Sequence, residues 1–219
     1  MITLYGVYRS RATRPLWILA ETGLPFTLVP VLQGYRLTGA NAGWTGLTTA
    51  SPAFQAINPQ GQIPALADGD VVLTESLAIT LYIARQSGGP LAPASDLETA
   101  QMEQWALFAA TSVETPALEM YYPIAEGRAA TPEGQALIAV AAEKLRRPLT
   151  RLQAWLSSHP YLVADRFTAA DINTAECVRY AQGHPTLLSE FPAVNDWLLR
   201  CQARPAFQAM WATRLNEPA

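Results

Sequence analysis

The sequence predicts a two-domain fold: an α/β domain over residues 1–85, a linker over 86–95, and an all-α helical bundle over 96–219. Two observations predict it. Strand-period alternation and short apolar runs occur only in the first third of the chain. Beyond a linker holding Gly88, Gly89, Pro90 and Pro93, the apolar residues recur only at helical spacing. The 219 residues are half hydrophobic and 15% charged, so a sizeable core is buried.

In the first domain, Ile2, Leu4 and Gly6 alternate with Thr3 and Tyr5 as in a strand. Leu16, Leu19 and Ala20 then follow helical spacing, ended by Gly23 and Pro25. Thr13 is the expected cap of that helix, with Pro15 in the first turn, where a missing N–H costs little. Phe26 to Val31 reads as a second strand, and residues 33–50 as a long loop around Trp44. Ser51-Pro52 opens a short helix. Ile63 to Ala67 and Val71 to Thr74 form a hairpin across Asp68-Gly69-Asp70. Ser76 to Arg85 is helical. The domain therefore runs β-α-β, loop, β-β-α.

The second domain opens with a helical stretch from Asp96 to Tyr122, kinked at Pro116. Thr131-Pro132 starts another, running to Ser158 with a break or bend at Pro148. Thr168 to Gln182, Pro192 to Ala203 and Pro205 to Trp211 complete the bundle.

Composition excludes several function classes. The net charge is −3 and the 15 Lys and Arg are scattered, whereas a nucleic-acid partner demands a basic face. No apolar run reaches the roughly 18 residues of a membrane span, and the N-terminus reverses the charge order of a secretory signal. The two cysteines, Cys177 and Cys201, lie in helical contexts and fit a reducing, cytoplasmic compartment. His159 and His184 have no partner at metal-ligand spacing, so no metal site is expected.

The stretch Asn58-Pro59-Gln60-Gly61-Gln62-Ile63-Pro64-Ala65-Leu66 carries the first functional signal. A proline at a strand entrance cannot donate to the ladder. A cis Ile63–Pro64 bond turns the chain so that Ile63 presents its N–H and C=O outward, where an extended peptide can pair. That feature marks thioredoxin-like domains. The second signal is Glu75-Ser76-Leu77-Ala78-Ile79, a strand passing into a helix. Free N–H groups, the helix dipole and the Ser76 hydroxyl suit a carboxylate there, and Glu75 suits an ammonium. Together they fit the backbone end of an α-amino acid.

With these residues the sequence resembles the cytosolic glutathione transferases, in particular bacterial, serine-type (theta/phi-like) members. Asn58 to Leu66 matches the family's N-P-x-G-x-[IV]-P-x-L segment, and Glu75 to Ile79 its E-S-x-A-I segment. Tyr161 to Ile172 is similar to its C-terminal folding motif, in which Thr168 caps a helix and Asp171 reciprocates. The resemblance implies a thioredoxin-like first domain, glutathione as co-substrate without metal, and a homodimer. It also implies that Ile63 and Pro64 meet the cysteinyl part of glutathione, Glu75 and Ser76 its γ-glutamyl end, and that Gln62 assists. The family's cation for the glycine carboxylate is missing from Thr48-Thr49-Ala50-Ser51, so either Arg36, Trp44 or loop hydroxyls substitute, or this end is held weakly.

Lowering a thiol pKa from about 8.5 by two units takes roughly 2.7 kcal/mol. A hydroxyl hydrogen bond to the anion supplies about 1.5–3 kcal/mol. One hydroxyl at the start of the first helix therefore suffices. Ser10, with Arg14 four residues on, resembles the serine-type pattern and is the leading catalytic candidate. Tyr5 at the end of the first strand is the runner-up, with Tyr8 and Thr13 behind it. No cysteine stands at this position, which argues against thiol-exchange branches of the family.

The second-substrate pocket is expected from Tyr8, Trp105, Phe108 and Ser112, an aromatic wall suited to a small hydrophobic electrophile. Conjugation is the leading function. Isomerase, peroxidase or dehalogenase chemistry on the same site, or a non-catalytic interaction module, are the alternatives.

Overall fold

The computed structural model describes residues 1–218. They divide into two compact units: residues 1–89 joined by residues from 204 onward, and residues 90–203.

The first unit is built on a four-stranded sheet, β2-β1-β5-β6. Strand β1 (Ile2–Tyr5) pairs parallel with β2 (Phe26–Val29) and antiparallel with β5 (Ala65–Asp68), which pairs antiparallel with β6 (Val71–Leu73). Ile2 and Leu4 are buried while Thr3 and Tyr5 are half-buried, as the strand period requires. This is the β-α-β and β-β-α order that the sequence predicts. The loop expected over residues 33–50 carries its own structure. Strand β3 (Val31–Leu32) pairs with β4 (Leu47–Thr48), with two single 3₁₀ turns between them. Backbone groups at Val31 and Leu32, both buried, need such partners away from water.

Helix α1 (Thr13–Thr22) ends at Gly23, whose left-handed φ of 67° lets its N–H reach the Leu19 carbonyl. Its N-cap is Ala12, not Thr13. Ser10 has displaced Thr13 from that role: its Oγ accepts from the Ala12 N–H at 3.0 Å, while the Thr13 hydroxyl bonds back to the Ser10 carbonyl. Helix α2 is short (Pro52–Gln55), and α3 (Ser76–Ser87) buries Ile79, Thr80, Ile83 and Ala84.

The second unit holds α4 (Asp96–Phe108), α5 (Thr115–Ala125), α6 (Pro132–Leu156), α7 (Ala169–Val178) and α8 (Pro192–Gln202). A π-helical stretch, Ala109–Glu114, joins α4 to α5 without a break, and Pro116 follows it closely, so its missing N–H falls where the helical hydrogen-bond ladder is already changing register. Of the break or bend expected at Pro148, the break does not occur; α6 runs through it. A helical proline costs about 3 kcal/mol, but Ala141, Leu145, Leu149, Leu152 and Leu156 bury one continuous stripe on both sides of it. Burying four leucines outweighs that cost at roughly 1.5–3 kcal/mol each. At the head of α7, Thr168 and Asp171 form a reciprocal capping box.

The last helix, α9 (Pro205–Asn216), which the sequence places in the helical domain, packs on α1 of the first unit. The Phe207 ring meets Trp17 edge-on at 4.7 Å, and Arg204 reaches both oxygens of Glu21 at 2.7 and 2.8 Å. No helix of the described residues is long and apolar enough to cross a membrane.

Candidate active site

The strand registers bring the sequence-predicted residues of the first unit to one end of its sheet. Tyr5 lies opposite Ala65, and Leu66 opposite Leu73. The β1–α1 loop meets this end at Gly6, where an added Cβ would lie 3.8 Å from those of Ile63 and Pro64, and the start of α3 meets α1 where Ser76 accepts from Arg14 at 2.8 Å. The loop from β1 to α1, the Ile63–Pro64 step and the start of α3 therefore leave the sheet together. Gly6 permits the closeness, because a Cβ there would stand 2.9 Å from the Ala12 Cβ.

The Ile63–Pro64 bond is cis. Ile63 is half-buried against Val31, Phe54 and Ala65, and lies just outside β5. Among the described residues, neither its N–H nor its C=O has a hydrogen-bond partner. Asn58 fixes the approach to it, donating from Nδ2 to the Gln62 carbonyl at 2.7 Å and accepting from the Gln60 N–H. The Gln62 side chain is exposed.

Glu75 is the N-cap of α3 and has φ 65°, a left-handed conformation that costs a non-glycine residue of order 1–3 kcal/mol. Its side chain is exposed while Ser76 is buried. Arg14, the arginine of the Ser-x-x-x-Arg spacing, is buried, and its guanidinium donates to the Ser76 Oγ at 2.8 Å. The signal was present in the Ser-x-x-x-Arg spacing, but its partner lies on another helix.

Ser10 Oγ donates to the Val7 carbonyl at 2.6 Å and accepts from the Ala12 N–H. Tyr5 is half-buried and packs its ring against Phe54 at 6.2 Å. Tyr8 lies between them in the loop; burial raises its phenol pKa above the ordinary value, and the Glu217 charge raises it further.

Thr48, Thr49 and Ser51 are engaged locally: Thr48 N–H donates to the Ser51 hydroxyl, and Gly34 N–H to the Thr49 hydroxyl. Trp44 donates its indole N–H to the Leu47 carbonyl. Arg36 reaches the carbonyls of Arg9 and Pro218. A cavity of about 430 Å³ lies beside these groups, lined by Val7, Leu32, Arg36, Trp44, Glu217 and Pro218. The two tail residues have no local motif, and sequence reasoning missed them.

In the second unit, Trp105 and Phe108 are buried. Trp105 donates its indole N–H to the Leu162 carbonyl and packs on Trp155, while the Arg151 guanidinium lies over the Trp105 ring at 5.1 Å and the Phe108 ring at 4.6 Å. Phe108 and Ser112 line one groove together with Lys144, Arg147 and Arg151.

Asp171 is fully buried and accepts from the amides of Leu162 and Thr168 and from the Trp197 indole. Desolvation nevertheless pushes its pKa up to about 6.

Comparison with known proteins bears on this arrangement. The family model described as glutathione S-transferase, N-terminal domain, matches residues 4–91, and that for the C-terminal domain matches residues 103–205. Glutathione S-transferase 3 of maize is 35% identical, with 94% of this chain and 91% of its own covered. A probable glutathione S-transferase of rice is 30% identical over 99% and 98%. Glutathione transferase F7 of Populus trichocarpa superposes with a TM-score of 0.79 at 31% identity, covering 98% of this chain and 99% of its own. A theta-class glutathione S-transferase of Xanthomonas axonopodis pv. citri, solved with glutathione bound, gives 0.76 at 31% identity over 95% of each chain. With both domain types matched in order around a thioredoxin-like sheet and a helical unit, the chain belongs to the glutathione S-transferase family.

Proposed function

We propose that this chain conjugates glutathione to a small hydrophobic electrophile. One arrangement carries the reading: the Ile63 backbone is left unpaired beside the cis Pro64 at the entrance of β5, and Ser76, which opens α3, accepts from Arg14 of α1. Ile63 pairs with the cysteinyl residue as a strand partner would. Ser76, Glu75 and the start of α3 take the γ-glutamyl carboxylate and amine. Pro64 shapes the turn, and Gln62 assists from the exposed side.

Ser10 is the thiolate stabiliser in this proposal, which makes the site serine-type. The Ala12 N–H holds its oxygen, and polarisation along such a chain strengthens the hydroxyl as a donor. Its proton turns from the Val7 carbonyl toward sulfur when the thiol binds. Tyr5 is placed second because its ring packs on Phe54. The bound thiolate then attacks the acceptor carbon, with proximity supplying much of the rate. Tyr8 and the cavity beside Trp44 contribute to the acceptor site, and Trp105, Phe108 and Ser112 belong to the same proposal from the helical unit.

A homodimer is part of this reading. Val71 and Val72 stand exposed on β6 at the sheet edge, and such an edge favours a partner. The two buried free thiols suit a cytoplasmic setting. Bacterial kinship remains part of the proposal too, since the relatives named above are plant proteins and one bacterial structure.

The test is Ser10→Ala assayed with glutathione and a chloro-nitro-aromatic acceptor. The expected outcome is a bound-thiol pKa raised by about one to two units, from loss of a hydrogen bond to an anion, with kcat falling in step. Unchanged values remove Ser10 and move the role to Tyr5.

A further inference from the structure

We propose that Glu217 is a positioning residue for the thiolate-stabilising loop, and that the segment it anchors forms a wall of the acceptor cavity. The inference rests on the glutathione-conjugating reading above and extends it to residues at the far end of the chain.

The observation is a set of contacts between the β1–α1 loop and the residues after α9, all inside the first unit. The two carboxylate oxygens of Glu217 are used on consecutive amides: Oε1 accepts from the Tyr8 N–H at 2.9 Å and Oε2 from the Arg9 N–H at 2.8 Å. The contact is reciprocated. Arg9 donates from Nε to the Glu217 carbonyl at 2.7 Å, and Arg214 donates to the Tyr8 carbonyl at 2.5 Å. Arg36 ties both strands of this clasp, reaching the Arg9 carbonyl at 3.2 Å and the Pro218 carbonyl at 2.7 Å.

The geometry gives the clasp a chemical consequence. Residues 8 and 9 are the whole span between the Val7 carbonyl and Ser10, and that carbonyl receives the Ser10 hydroxyl proton at 2.6 Å. Holding the two intervening amides fixes where Ser10 Oγ stands and how far its proton must turn to reach a sulfur. Charge-assisted bonds from amides to a carboxylate are about twice as strong as neutral ones. A loop otherwise free to relax is thereby pinned from outside its own sequence neighbourhood. The same segment bounds the cavity opposite Leu32 and Trp44, so its position also sets the room left for an acceptor.

The test uses the full-length protein with Glu217→Ala and Glu217→Gln. Glutamine keeps the shape but turns an amide donor toward the Arg9 N–H. Hydrogen exchange read on peptides spanning residues 5–12 is expected to quicken at Tyr8 and Arg9 by about tenfold or more in both variants, the loss of a charge-assisted bond. Peptides from α3 serve as the fold control and keep their rates. With glutathione and the chloro-nitro-aromatic acceptor, kcat falls and its pH midpoint rises by about half a unit, a weaker hold on the thiolate. The glutathione KM stays level, because Ile63 and Ser76 are untouched. A bulkier acceptor loses less than the small one. Unchanged exchange at Tyr8 and Arg9 overturns the clasp. Faster exchange with an unmoved pH midpoint overturns its link to Ser10. A wild-type protein that exchanges slowly there but turns over no glutathione sinks the conjugation reading instead, and with it the role given to Ser10, while the clasp stands.

Discussion

The Arg14 guanidinium donates to the Ser76 hydroxyl oxygen at 2.8 Å, tying the first turn of α1 to the N-terminus of α3. Arg14 is 1% exposed and Ser76 4%, so this bond lies out of water. By filling an acceptor position on Ser76, Arg14 leaves the hydroxyl proton available to a bound carboxylate.

Arg14→Ala removes the donor and strands a buried hydroxyl. The expected cost is about 2 kcal/mol or more, since bonds to charged groups and orphaned buried polar atoms fall in that range. Urea unfolding reads the stability and initial rates read the glutathione KM, which rises with kcat less affected. Arg14→Lys recovers part of the stability but not the KM, because an ammonium lacks the planar fork. A KM unmoved in both variants separates Arg14 from the glutathione site.

Gly61 has φ 59°, and a Cβ there would lie 2.8 Å from the Thr49 carbonyl oxygen, which is backbone and cannot swing aside. Gly61→Ala is expected to cost about 1–2 kcal/mol from the left-handed conformation alone, with the clash in addition. The next two residues are Gln62 and Ile63, so the glutathione KM rises while the acceptor KM holds. Differential scanning calorimetry and steady-state kinetics check the two halves. Equal melting temperatures would show that the turn relaxes freely.

Asp171 links stability to pH. Its folded pKa, near 6, stands above the unfolded value of 3.8, because burial disfavours the charged carboxylate. The folded state therefore holds more protons between those values, and stability falls as pH rises through that window. The contribution is fully present below pH 3.8 and gone above about 6. Asp171→Asn abolishes the titration. Unfolding free energies of the two proteins across this range are expected to converge or cross on the alkaline side, at up to about 1.4 kcal/mol per pH unit. Parallel curves would show that Asp171 does not titrate there.

The order of strands and helices was legible because the main-sheet strands are apolar-rich runs of three or four residues, most of them set off by a glycine or proline such as Gly6, Pro25, Pro30, Pro64 or Gly69. Strands β3 and β4 were not, since two residues show no period. Pro148 was read by a local rule that the leucine stripe of α6 overrides. Around the site, Ile63, Pro64, Glu75 and Ser76 lie in short continuous motifs and could be named from sequence. The partner of Arg14 and the clasp at Glu217 could not, because the contacts span 62 and as many as 209 residues. Nothing local marks either end of such a bond.

The first unit is made of two stretches of chain with the whole helical unit, residues 90–203, inserted between them. During synthesis its sheet emerges early, but the Trp17 face of α1 stays uncovered until α9 arrives. The helical unit, contiguous in sequence, has no such wait. Closing a gap of that length adds only a few kcal/mol over a short loop, since the entropic term grows as the logarithm of length. The delay is thus a matter of timing on the ribosome more than of final stability. A nascent chain stalled before residue 204 would carry a folded helical unit beside a sheet domain still lacking its last wall.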